Sequence, residues 1–379
     1  LLSAIVNAKI IFEDKIVEDM VVIFDANIKA VVGKDESDKY ANCRIIDANG
    51  AYLSAGFIDL HIHGSGGADT MDASYDALQT ISETVLQTGT TSFLATTMTM
   101  SKDDIVKALV NIQNNAKLIN GASILGVHME GPFINPAQCG AQDKEFILAP
   151  SMEIIDEFAP FIRMITLAPE IAGGIKFIED INAKYPHMIL SIGHSNASYE
   201  EAKNSFNVGI SHATHLGNAM SGFHHRLPGV LGAAMDSDIT CDVIADGIHT
   251  HAASLRIFWK QKKEKLILIT DAMRAGCMKC GTYDLGGQAV TVSEGKATLA
   301  DGRLAGSVLR LNEALANMLK FTDITLVEAI YSVTAAPAHK LGIKKGFIEA
   351  GYDADMVLFD EKLDILTTIV GGDIKYTKG

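Results

Sequence analysis

Six residues of this chain could act together on a metal ion or a proton: His61, His63, Glu130, His194, His215 and Asp271. His61 and His63 lie two apart in a strand-like run, and the period of two along a strand puts both imidazoles on one face, within reach of one ion. The other four each close a separate apolar run. Together they offer four imidazoles and two carboxylates, a nitrogen and oxygen donor set suited to zinc, ferrous iron or manganese. A divalent ion held there would lower the pKa of its water toward about 7, making hydroxide available, and would polarise a carbonyl oxygen. A carboxylate beside that water could accept its proton and pass it to a leaving amine. Asp271 is assigned this acid–base role because it stands on the last run and is followed by the loop 272–276; serving as a ligand as well does not conflict with it. One histidine at such a place is most often a hydrogen-bonded core residue. Six polar groups at the ends of five strands need a common reason, since burying them without one is costly.

Bringing the six together requires strands whose carboxyl ends converge. From Gly56 onward short apolar runs alternate with longer amphipathic segments, the pattern of parallel strands joined by helices. The runs are 57–63, 91–97, 124–130, 163–168, 188–194, 210–215, 240–246 and 265–271, eight in all. Eight successive βα units are what a (β/α)8 TIM-like barrel requires, with its active site at the carboxyl ends of the strands. A doubly wound sheet of eight strands is the other arrangement consistent with them. Ser101 with Asp104, Ser198 with Glu201 and Thr325 with Glu328 predict capping boxes, the last helix ending before Pro337. Runs 4–12, 20–24 and 28–32 are β-prone, 283–299 is β-like, and strand composition returns over 347–359. Terminal strands need partners. The α/β fold is therefore expected to comprise a barrel over 54–346 and a small β-sandwich-like domain built from 1–53 and 347–379.

The 379 residues include 32 Lys and Arg against 46 Asp and Glu, a formal charge of -14. That charge excludes broad attraction to nucleic acid or anionic lipid, so an anionic ligand must be held by local groups. No stretch approaches the ~18 consecutive apolar residues of a membrane span, and residues 1–14 carry Lys9, Glu13 and Asp14 in place of a signal peptide's apolar core. A cytoplasmic location is expected. Cys43, Cys139, Cys241, Cys277 and Cys280 form an odd, scattered set that reads as reduced thiols. Cys277 and Cys280 make a C-x-x-C pair, but a structural zinc there would need a second pair, supplied through the fold by Cys241 or His251.

The string Gly56-Phe57-Ile58-Asp59-Leu60-His61-Ile62-His63-Gly64, with His194, His215 and Asp271, resembles the metal-dependent amidohydrolase superfamily. More narrowly, His128-Met129-Glu130-Gly131-Pro132-Phe133, His215-Leu216-Gly217-Asn218-Ala219-Met220, Ile244-Ala245-Asp246-Gly247-Ile248-His249 and Thr270-Asp271-Ala272-Met273 are similar to the N-acetylglucosamine-6-phosphate deacetylase family, over almost the whole chain. The resemblance implies a barrel with a flanking β domain, a homodimer, and hydrolysis of N-acetylglucosamine 6-phosphate to glucosamine 6-phosphate and acetate. It implies Glu130, His194 and His215 as ligands of the principal metal, zinc ahead of iron or manganese, with His61 and His63 available to a second ion. It carries over Asn218, Ala219 and Ser307 as sugar contacts, and Arg226 with His249 for a phosphate in a pocket shared across the dimer interface. Gln142 stands where the family places a donor to the acetyl oxygen; as a neutral amide it should act less strongly than a charged donor. The residues agree with a phosphate pocket, since His224, His225, Arg226, His249 and His251 form a donor-rich cluster in an acidic chain. The competing readings are action on N-acetylgalactosamine 6-phosphate or another N-acyl or cyclic amide, and a non-catalytic scaffold, which would have no need of all six residues.

Overall fold

Strands buried on both faces read as continuous apolar runs and can carry polar groups cheaply only at their ends. The computed structural model describes residues 2–379. At its centre stand eight such strands: β1 (Phe57–Ile62), β2 (Thr90–Thr97), β3 (Ser123–Glu130), β4 (Ile162–Leu167), β5 (Ile189–Ile192), β6 (His212–Ala213), β7 (Thr240–Ile244) and β8 (Leu266–Ile269). Each pairs in parallel with the next in chain order. The ring closes between β8 and β1, where the Asp271 N–H donates to the His61 carbonyl at 2.8 Å and Ile62 bridges Ala272. Lower on this seam, the turn at Ser332 and Val333 fills the gap, accepting from Leu268 N–H at 3.2 Å and Ile58 N–H at 2.8 Å. Closure decides for a barrel over an open doubly wound sheet.

Four expected strands stop short of a functional residue, β1 ending at Ile62 just before His63. β5, β6 and β8 end at Ile192, Ala213 and Ile269 because His194, His215 and Asp271 take left-handed backbone, with φ of 49°, 36° and 49°. Such conformations are uncommon for residues other than glycine and persist where the surroundings over-determine them.

Helices follow the caps, with two differences. Ser198 and Glu201 form a full capping box before Tyr199–Val208, which stops at Gly209. Ser101 caps Lys102–Asn115, but the Asp104 carboxylate accepts from the Ser101 hydroxyl at 2.6 Å instead of reaching the backbone N–H, its side chain being one methylene shorter than glutamate. The helix after the Thr325–Glu328 box runs Leu326–Tyr331, and Pro337 lies in the first turn of the next helix, Ala335–Leu341, where its missing N–H costs nothing.

The terminal runs form two sheets. Ser3–Val6, Met20–Phe24, Ile28–Gly33 and Arg44–Asp47 make one; Lys9–Ile11, Ile16–Val17, Tyr52–Ala55, Met356–Phe359, Ile365–Val370 and Asp373–Thr377 make the other. The expected single run 4–12 is split between them, turning at Asn7, whose φ is +55°. Ile5, Phe24 and Ile28 of the first sheet share a core with Leu53, Met356 and Leu358 of the second, which makes the pair a sandwich. Val357 and Phe359 point the opposite way, into the barrel's core. The strand Tyr52–Ala55 crosses the expected boundary at 53/54, so this sheet extends slightly further along the chain. A third, three-stranded sheet, Gly281–Leu285, Gln288–Ser293 and Lys296–Thr298, joins neither and packs on Met98 and Met273, beyond the ends of β2 and β8.

Candidate active site

The six residues meet. Glu130, the last residue of β3, stands between two imidazole pairs. On one side its Oε1 lies 3.1 Å from His194 Nε2 and 3.0 Å from His215 Nε2, which are 3.1 Å from each other. On the other, His61 Nε2 is 3.4 Å from Oε1 and His63 Nε2 is 3.3 Å from Oε2, with the two ring nitrogens 3.2 Å apart. Asp271 Oδ1 is 3.4 Å from both of the latter nitrogens. All six side chains are buried or nearly so.

This arrangement fits a divalent ion. The Gln138 and Asn218 carbonyls can only accept, so the Nδ1 atoms of His194 and His215, at 2.9 and 3.2 Å from them, carry hydrogens. The two Nε2 atoms then face each other and a Glu130 oxygen, an arrangement that a proton or a divalent ion held among them would relieve. Donors around a tetrahedral ion with bonds of about 2.0–2.1 Å stand roughly 3.3–3.4 Å apart, close to the separations seen here. Two triplets could hold a metal, Glu130 with His194 and His215, and Glu130 with His61 and His63.

The electrostatics keep the carboxylates ionised. Burial would push Asp271 up, but His61 and His63 outweigh it and bring its pKa down to about 2. Burial is likewise overcome at Glu130, which the imidazoles hold well below the usual carboxylate range. His215 is raised to about 9, burial being outweighed by its bond to Glu130 and by the nearby carboxylates.

Several outer groups aim the cluster, and sequence reasoning missed most of them. Asp242, buried midway along β7, accepts from the His215 backbone N–H and holds His212 Nε2 at 3.0 Å, so it fixes the bend that presents His215. Asp59 ties β1 to β8, accepting from the Thr270 hydroxyl at 2.6 Å and the His61 N–H at 3.2 Å; its burial pushes the carboxyl up to about 7. Beneath the site His128 Nε2, Thr166, Thr214 and Ser191 form a chain of short hydrogen bonds of 2.7, 2.7 and 2.5 Å. A buried acid inside an apolar run, as at Asp59 and Asp242, was the available signal.

The cluster opens into a cavity of about 650 Å³. Of the expected substrate contacts, Gln142, Asn218, Ala219 and His249 line it. His249 is held by Asp246, Nδ1 to Oδ2 at 2.6 Å, and Asn218 presents a buried Nδ2 without a protein partner. Gln142 accepts from Thr99 N–H at 2.8 Å and donates Nε2–H to Glu130 Oε2 at 2.8 Å. Ser307 and Arg226 are not brought in. The Ser307 hydroxyl donates to the Thr270 carbonyl at 2.5 Å and accepts from Leu309 N–H, bracing the end of β8. Arg226 lies exposed on a hairpin with His224 and His225, bonded to His225 Nε2 at 2.7 Å. His251 caps the helix Ala252–Lys262. Among the described residues, Cys277 and Cys280 belong to no metal-competent group, and all five thiols are free.

Comparison with known proteins gives this constellation its place. Residues 52–375 match the model of the amidohydrolase family. The chain belongs to that family. Among curated amidohydrolases it is 42% identical over 338 residues to N-acetylglucosamine-6-phosphate deacetylase of Lysinibacillus sphaericus, covering 87% of each chain. It is 39% identical to the enzyme of that name from Bacillus subtilis, covering 97% of this chain and 95% of that one. The crystal structure of N-acetylglucosamine-6-phosphate deacetylase from Pasteurella multocida superposes with a TM-score of 0.95 at 33% identity, over the whole of both chains.

Proposed function

We propose that this chain hydrolyses the acetamide of N-acetylglucosamine 6-phosphate, releasing acetate and glucosamine 6-phosphate. The observation that carries the reading is Glu130 shared by two imidazole pairs, with Asp271 beside one of them, in the wall of a cavity that also holds His249. The relatives of that name support the substrate class. Glu130, His194 and His215 would hold a divalent ion, which would supply Lewis acidity and a water of lowered pKa. Zinc suits the nitrogen-rich donors best, and His61 with His63 offers a second place.

The residues perform the rest. Hydrolysis breaks the amide C–N bond, forms a C–O bond, and moves one proton from water to the departing amine. Asp271, a carboxylate at rest, takes that proton and returns it to the nitrogen. Gln142 Nε2–H, already directed at the cluster, supplies a donor for the acetyl oxygen. His249, its ring fixed by Asp246, meets the phosphate; Asn218 and the Ala219 backbone position the sugar.

Arg226 completes the phosphate site of a second subunit in a homodimer. Two facts support this: it lies away from its own cavity, and Phe223 and Leu227 beside it are 66% and 74% exposed, apolar surface of the kind that subunits cover. The division into a terminal unit, 1–53 with 347–379, and a barrel, 54–346, is supported by the sandwich's own core. No helix among the described residues is long and apolar enough to cross a membrane.

Acetate release from N-acetylglucosamine 6-phosphate, by protein stripped with chelator and reloaded with zinc, iron or manganese, tests the reading. Metal-restored turnover that drops sharply on the unphosphorylated sugar is expected. Turnover equal on the galacto epimer would widen the substrate class, and none with any metal would remove the assignment.

A further inference from the structure

The segment from Asn135 to Ile147 lines the cavity through residues 137–142 and Lys144 and touches the ligand cluster at three points. The Gln138 carbonyl accepts from His194 Nδ1 at 2.9 Å. Gly140, with φ of +60°, lies beside the His194 ring, where a Cβ would stand 3.4 Å from its Cε1, in van der Waals contact. Gln142 donates to Glu130. Three of the five residues 138–142 thus contact two of the three ligands of the principal site.

Their carbonyls are held by the three-stranded sheet and the loop that follows it, whose Arg303 also lines the cavity. Arg303 Nη1 donates to the Gly140 carbonyl, and Gln288 Nε2 donates to the Ala141 carbonyl at 2.5 Å. Arg303 is itself aimed by Asp301, which takes its Nε–H at 2.7 Å and its backbone N–H at 3.1 Å. Ala141 packs on the sheet's apolar core. The left-handed turn at Gly140 lets one residue face His194 with its Cα and Arg303 with its carbonyl.

We propose that Arg303 and Gln288 form a latch that presses the segment 138–142 onto His194 and Glu130, making a sheet outside the barrel wall responsible for how long the metal is retained. Both are positioning residues. The lid cannot lift without releasing the His194 Nδ1–H and the Glu130 oxygen, so loosening the latch loosens the outer shell of the metal, and such partners typically govern about 10–100-fold in metal affinity. This inference rests on the metal reading given above.

The test uses the full chain and the variants Arg303→Ala, Gln288→Ala and their double. In chelator-stripped protein, hydrogen–deuterium exchange over residues 135–147 should quicken about fivefold or more in the double variant, with the barrel strands unchanged. In zinc-loaded protein, transfer of zinc to an excess of chelator should quicken about tenfold. Unchanged lid exchange in the double variant overturns the latch whatever the metal does. Faster lid exchange with unchanged zinc transfer overturns its coupling to the metal. A wild-type chain that takes up no zinc removes the metal reading and the retention claim together, while the exchange arm still decides the latch. Both side chains sit on a surface loop or strand outside the barrel, so the variants should fold; the exchange of β1 to β8 reports this directly.

Discussion

Around the shared Glu130 carboxylate, the two imidazole pairs are built differently. His194 and His215 each follow a strand end in left-handed backbone, and each gives its Nδ1–H to a carbonyl. His61 lies in β1 and His63 directly follows it, and their buried Nδ1 atoms have no protein partner. Outer-shell acceptors fix the tautomer, hold the ring plane and raise ligand basicity. The first pair is therefore organised before any ion arrives, and the second is organised mainly by Glu130 and Asp271. The difference teaches a ranking: a tight site at Glu130, His194 and His215, and a weaker, exchangeable one at Glu130, His61 and His63.

The sharpest way to break the ranking is to remove what both sites share. Glu130→Gln should abolish stoichiometric metal and lower kcat/KM about a thousandfold or more; elemental analysis that still finds one ion per chain would show that the two pairs do not depend on a common carboxylate. Asp271→Asn should cost about a hundredfold to ten-thousandfold in kcat while metal content holds, and near-normal turnover would take Asp271 out of the proton path. His194→Asn and His61→Asn set the two sides against each other. Chelator competition should show about 10–100-fold weaker retention of the first ion for His194→Asn and less than about threefold for His61→Asn; equal losses erase the distinction. The smallest effect lies outside the cluster. Asp246→Asn frees the His249 ring without touching either pair, so KM for the phosphorylated sugar should rise about tenfold with kcat little changed; an equal rise in KM for the unphosphorylated sugar would mean that His249 does not meet phosphate.

What could be read from the sequence followed from periodicity. Parallel strands buried on both faces leave polar residues little room except at carboxyl ends, so Glu130, His194, His215 and Asp271 stood out, and the spacing of His61 and His63 matched the strand repeat. The outer shell was far less legible because its key acceptors, the carbonyls of Gln138 and Asn218, are backbone atoms carrying no sequence signal. Asp242 went unnoticed since a lone acid inside an apolar run looks like an interruption until its partners, the His215 N–H and His212, are known. Ser307 sits beside the right loop, but its hydroxyl is spent on Thr270. The split of 4–12 between two sheets depended on Asn7 turning left-handed, a local choice that asparagine permits without announcing.

The two-faced strand Met356–Phe359 also sets an order of events during synthesis. Its antiparallel partner, Tyr52–Ala55, leaves the ribosome about 300 residues earlier, roughly 15–60 s at typical elongation rates. Through that interval the nascent barrel carries an open strand edge and an uncovered apolar wall, the surfaces on which growing chains meet one another. Yield in the cell should therefore depend on strands that take no part in the chemistry, and a chain stopped before residue 356 should be lost to aggregation or to chaperones even though every residue of the metal cluster has already been made.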